Sequence, residues 1–72
     1  MNRWHYLTVH CCRLKWLDSQ GRGGDLSVLK VDRESVIDFN PLLLELGDKG
    51  WELVSTLSGH MVISLIFKRP QA

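Results

Sequence analysis

The sequence predicts an α+β domain: a four-stranded antiparallel sheet in the order β-β-α-β-β, with one helix packed on one face. Three observations predict it. β-rich apolar segments stand on both sides of a single leucine-rich stretch. That stretch opens on Asn40-Pro41 and closes on Gly50, the punctuation of a helix. Glycine-bearing turns separate the strands in pairs, as antiparallel hairpins require.

Residues 4–17 read as the first strand. Trp4, Tyr6, Thr8, Val9, Cys11, Cys12, Leu14 and Trp16 are β-formers or neutral, and no Gly or Pro interrupts them. Ser19-Gln20-Gly21-Arg22-Gly23-Gly24-Asp25 reads as a loop. Leu26, Val28, Leu29 and Val31 suggest a second strand near 26–32, forming a hairpin with the first. In the helix, Asn40 serves as the cap and Pro41 as the first helical residue, where its missing N–H costs nothing. Leu42, Leu43, Leu44 and Leu46 supply a broad apolar face. Gly50 fits a left-handed stop, with Lys49 near the negative end of the helix, while Gly47 weakens the last turn. A helix of about ten residues does not persist alone in water and must dock. Residues 51–57 and 61–69 read as two more strands around Ser58-Gly59-His60, and Pro70 ends the last.

The chain has 72 residues and 8.3 kDa, which allows a single domain, 1–72. At this size the core is marginal and needs a disulfide, a metal or a partner subunit to support it. Nine Lys+Arg against eight Asp+Glu give a net charge of +1, without the basic stripe of a nucleic-acid binder, so nucleic acid is not an expected partner. No apolar run is long enough to cross a membrane. The opening Met1-Asn2-Arg3-Trp4-His5 lacks a signal core. Cys11 and Cys12 are adjacent and point to opposite faces of a strand, so they cannot easily bridge each other. A reducing cytoplasm, bacterial or virus-infected, is the expected compartment.

Alternation then predicts a face left bare. With Trp51, Leu53, Leu57, Ile63, Leu65 and Phe67 under the helix, Val54, Thr56, Val62, Ser64 and Ile66 lie on the far side of the C-terminal hairpin. In the first strand Leu7, Val9 and Cys11 lie on one face. Trp4, Tyr6, Thr8, His10, Cys12, Leu14 and Trp16 lie on the other. One helix cannot cover both faces, and an exposed apolar patch marks an interface or a ligand surface. The expectation is a homo-oligomer, a dimer or higher, built on Val54, Thr56, Val62 and Ile66. The alternative is that the aromatic row packs under the 18–25 loop.

The segment Leu43-Leu44-Glu45-Leu46-Gly47-Asp48-Lys49-Gly50-Trp51-Glu52-Leu53-Val54 and the ending Leu65-Ile66-Phe67-Lys68-Arg69-Pro70 resemble a small prokaryotic and phage family, the domain of unknown function number 4177. The resemblance covers residues 4–70, apart from the 18–25 loop and the Cys11-Cys12 pair. It implies an α+β sheet domain without an established activity, and supplies no catalytic residue. The motif also reads as a fold signature: Gly50 reverses the chain, Trp51 plugs the helix–sheet junction, and Glu52 faces Lys68 or Arg69 across the hairpin.

The chemistry-bearing residues do not assemble into a familiar site. His5, His10, Cys11, Cys12 and His60 are metal-ligand types, yet their spacing matches no structural zinc motif, so no metal and no cofactor is expected. His10 and Cys12 share a strand face, but a nucleophile pair has no identifiable third group or oxyanion site here. Gly21-Arg22-Gly23-Gly24 offers amides to an anion but lacks the Lys-Ser/Thr and following helix of a phosphate loop. The leading expectation is a non-catalytic homo-oligomeric assembly or adaptor module. The alternative is a binder of a nucleotide-like small molecule at subunit interfaces, lined by Trp4, Tyr6, His10, Trp16 and Arg22, which in a phage would sequester an immune signal.

Overall fold

The computed structural model describes residues 3–71; Met1, Asn2 and Ala72 lie outside them, and with them the start of the segment read above for a signal core. The chain runs β1 (Trp4–Cys12), β2 (Lys15–Asp18), β3 (Gly23–Asp25), β4 (Ser27–Val31), β5 (Glu34–Asp38), α1 (Asn40–Asp48), β6 (Glu52–Ser58) and β7 (Val62–Pro70). Five strands form one antiparallel sheet in the order β3-β2-β1-β7-β6, and β4 and β5 pair as a separate hairpin. The expected four-stranded β-β-α-β-β sheet is therefore overturned. The fold is mostly β with one short helix.

Two turns without glycine account for two of the three added strands; the third, β3, lies within the Gly-rich segment expected to be a loop. The stretch 4–17 reverses at Arg13-Leu14, so that Cys12 faces Lys15 and Cys11 faces Trp16. Arg13 has φ 57°, a left-handed conformation that glycine usually takes. The second turn joins β4 to β5 through Asp32 (φ 52°) and Arg33 (φ 70°). Positive φ at both central residues matches the twist of a two-residue hairpin. Residues 26–32 thus pair with the segment just after them, not with the first strand. The long partner of β1 is β7, in unbroken register from Trp4 opposite Pro70 to Cys12 opposite Val62.

The core lies on one face of this sheet. Leu7, Val9 and Cys11 of β1 and Leu65 and Phe67 of β7 are buried there, under Leu42 and Leu46 of α1, with Trp51 and Leu26 at the margins. Leu44 points to solvent, so the apolar stripe of α1 is narrower than four leucines suggest. Asn40 is the first helical residue and caps nothing; the cap position is Phe39, and the Asp38 carboxylate accepts from the Asn40 amide at 3.0 Å. At the other end the Gly50 amide donates to the Gly47 carbonyl and the Trp51 amide to the Leu46 carbonyl, each at 3.0 Å. Gly50 has φ 86°. This is the paired cap that a left-handed residue after a helix permits. It carries the chain directly from Leu46 to Trp51, both core residues. The Leu-Gly-x-x-Gly-Trp segment is thus a helix stop that delivers an indole to the core.

β6 is the exposed edge of the sheet, and its register slips between Leu53 and Ser55. Past this irregularity Thr56 faces Leu65 and Leu57 faces Ser64. The expected faces of that half-strand are exchanged: Thr56 turns toward the helix side and Leu57 toward the bare side. An extra residue in a strand does this because side chains alternate with a period of two.

Candidate functional site

The face opposite the helix is uncovered among the described residues. Register alone sets its members. Tyr6 lies opposite Lys68, Thr8 opposite Ile66, His10 opposite Ser64 and Cys12 opposite Val62. β2 adds Leu17 beside His10 and Lys15 beside Cys12. β6 adds Leu57 beside Ser64 and Ser55 beside Ile66. Leu17, His10, Ser64 and Leu57 therefore form one row across four strands. Its two apolar ends are well exposed, Leu17 at 57% and Leu57 at 59%, and Tyr6 nearby at 63%. In the middle of the row His10 Nδ1 and Ser64 Oγ are hydrogen-bonded at 2.9 Å. This bond holds the imidazole against the sheet, so the row is apolar at its rim and polar at its centre. At one end of the face the Lys68 ammonium sits 4.2 Å from the centroid of the Trp4 ring, a cation–π contact. Glu52 is the cross-strand neighbour of that lysine.

The residues expected to line a ligand site are only partly brought together. Trp4, Tyr6 and His10 share the open face. Trp16 does not: the turn at Arg13-Leu14 shifts the parity of β2, so Trp16 stands opposite Cys11 on the helix side and packs against the core. Its indole lies over Gly24, where an added Cβ would come within 2.7 Å of Nε1. Packing under the 18–25 loop thus holds for Trp16 alone of the aromatic row. Arg22 sits at the end of a tight turn. Of the expected interface residues, Val62 and Ile66 are half-buried on the open face, Thr56 is on the helix side, and Val54 lies at the β6 irregularity without a cross-strand partner. Sequence reasoning missed Leu17 and Leu57. Both lie past an irregularity that carries no glycine or proline, and a count of two from Cys12 or Leu53 assigns them to the wrong side.

The Gly-rich turn is closed around the protein's own carboxylate. Asp18 is buried, and its Oδ1 accepts from the amides of Gln20 at 2.9 Å and Arg22 at 2.8 Å. The Asp18 amide in turn donates to the Arg22 carbonyl at 2.8 Å. Two amides that could wrap an external anion are therefore already used.

Among the described residues no three His, Cys, Asp or Glu side chains converge as a metal site. Cys11 and Cys12 are both free thiols, one buried and one exposed. Burial pushes the Cys11 thiol up from its ordinary value, which keeps it protonated and poorly nucleophilic. A groove of about 300 Å³ between β2 and the start of α1 is lined by Trp16, Leu26, Pro41, Leu42 and the acids Asp25, Asp38 and Glu45. No described helix is long and apolar enough to cross a membrane. Comparison with protein-family models, with curated proteins and with solved structures yields no match, so the likeness to family 4177 rests on the quoted motif residues alone.

Proposed function

We propose that this chain is a non-catalytic homo-oligomeric assembly module that acts through its open sheet face. The observation that carries this reading is a surplus of exposed apolar surface. Among the described residues nine hydrophobic side chains are buried, while twelve large ones are exposed. The accessible surface is 5598 Å², whereas a compact monomer of this mass exposes about 4,600 Å². The radius of gyration, 13.2 Å, likewise exceeds the roughly 11 Å of a compact chain of this length. A second copy of the chain, covering that surface, supports a core too small to stand well alone. Sedimentation velocity over the micromolar range tests the reading. A concentration-dependent shift to a dimer or larger species is expected, and a monomer at every concentration overturns it.

The row of Trp4, Tyr6 and Lys68 favours a second reading, a nucleotide-like ligand stacked at a subunit interface. Thermal-shift titration with mononucleotides and cyclic nucleotides tests it, because a ligand of the folded state raises the melting temperature with its concentration. The free thiols suit a reducing cytoplasm, the setting we infer for either role.

A further inference from the structure

We infer that the β4–β5 hairpin is a clasp that packs on the open sheet face of a second copy of this chain, in a two-fold exchange of arms. The inference rests on the oligomeric reading above and adds which segment covers which face.

The hairpin register places Leu29 opposite Val36 and Val31 opposite Glu34. Leu29, Val31 and Val36 therefore share one side of the arm, and all three are exposed, Val31 at 53%. Val28, on the other side, is exposed as well. Contact with the core is confined to the base, through Leu26, Ile37 and Phe39. A two-stranded hairpin with a bare apolar side is marginal in water and needs a surface to lie on.

Its own sheet does not take that role: neither β4 nor β5 packs closely on a strand of the main sheet. The molecule is elongated, 47 Å along its long axis against 23 and 19 Å in the other directions. The arm thus does not fold back over the sheet.

A second copy fits what is left uncovered. The surface in excess of a compact monomer is about 1,000 Å², and a standard stable interface buries about 800 Å² on each partner. The same chain carries both halves of the contact: an arm side with Leu29, Val31 and Val36 bordered by Glu34, and a face with Leu17, Tyr6 and Leu57 edged by Lys15, Lys68 and Glu52. The acid beside the arm's apolar side is complementary to the lysines Lys15 and Lys68 of the face, and at a net charge of +1 two copies meet without strong repulsion. A two-fold axis makes the arrangement closed, with two equal arm-on-face contacts for each dimer.

Sedimentation velocity on four samples tests the clasp: the wild-type chain, Val31→Asp in the arm, Leu17→Asp in the face, and an equimolar mixture of the two variants. Both side chains are exposed, and far-UV circular dichroism checks that the sheet persists. Val31→Ser and Leu17→Ser give the same readout if an aspartate disturbs folding. The wild type should dimerise, and each variant alone should raise the apparent dissociation constant about tenfold or more. The mixture should recover a dimer, because the heterodimer keeps one intact arm on one intact face. If Val31→Asp dimerises like the wild type, the clasp is overturned while the oligomeric reading stands, whether or not Leu17→Asp dissociates. A mixture that fails to recover the dimer overturns the exchange. A wild-type chain that stays monomeric overturns the clasp and the oligomeric reading together.

Discussion

Arg69 sits over the Trp51 ring, its guanidinium carbon 4.3 Å from the ring centroid, while its Nη1 donates to the Lys49 carbonyl at 3.0 Å. One side chain at the end of β7 therefore fastens both products of the helix stop: the carbonyl that the helix leaves unpaired and the indole that the stop delivers. A contact over the ring together with a directed N–H bond uses the guanidinium's several donors on one planar group, which a lysine cannot imitate. Arg69→Ala should destabilise the fold by about 1–2 kcal/mol, from the lost cation–π contact and hydrogen bond. Arg69→Lys should recover only a fraction of that loss. Trp51→Ala should cost more, about 3–5 kcal/mol, because the buried ring leaves a cavity. Urea unfolding of the three variants gives the ranking directly, and equal losses for lysine and alanine would show that the fork geometry is what matters.

Gly24 is fixed by a close approach, not by its backbone angle. A Cβ there would meet Trp16 Nε1 at 2.7 Å, with two further ring atoms close by. The indole is wedged between β3 and the core, so it cannot swing away freely. Gly24→Ala should cost about 1–3 kcal/mol, the usual range for overpacking. It should also shift the tryptophan emission, since Trp16 has to move toward solvent. A second change, Trp16→Leu, opens the space and should make Gly24→Ala nearly neutral in that background. Additive losses in the double variant would disprove the steric link.

The parts of the fold that were legible in the sequence are those with chemical punctuation. The helix between Pro41 and Gly50, and the last hairpin around Gly59, stand close to where the pattern puts them. The unreadable parts share a cause. The turns at Arg13-Leu14 and Asp32-Arg33 place ordinary residues at positive φ, where glycine or asparagine would have announced them. The slip beyond Leu53 adds a residue without any side-chain signature. Each error then spreads, since one unseen residue reverses every later side chain in the strand. For that reason a count of two along the sequence puts Trp16 and Thr56 on the bare face, and Leu57 under the helix. The existence of a bare face survived, because it depends on there being one short helix and not on register.

Asp18 is the keystone of the β2–β3 connection. Its carboxylate satisfies two backbone amides, while its own amide closes the turn onto Arg22. Asp18→Ala removes the acceptor for both amides and should cost about 1–3 kcal/mol. Asp18→Asn keeps an oxygen in the same place and should cost less. Hydrogen exchange at Gln20 and Arg22 is the sharper measurement. Both amides should exchange faster in the alanine variant, and unchanged protection would mean the turn is held by other contacts.

The paired cysteines should behave as opposites. Cys12 is exposed on the open face and should react with a disulfide reagent at the rate of a free thiol. Cys11, buried beside Ile63 in register, should react only as the fold opens. The raised Cys11 value also fixes a sign for alkaline stability. Below the ordinary thiol pKa of about 8.5, both states hold the proton and stability does not depend on this group. Above it the unfolded chain releases the proton first, so the unfolded state binds fewer protons than the folded one. Stability then falls with rising pH until the folded thiol also ionises, by at most about 1.4 kcal/mol for each pH unit crossed. Cys11→Val, which keeps an apolar side chain of similar size, should flatten this alkaline decline, while Cys12→Val should leave it in place. Chemical denaturation between neutral and alkaline pH separates the two. A decline that persists in the Cys11→Val chain would assign the alkaline loss to other groups.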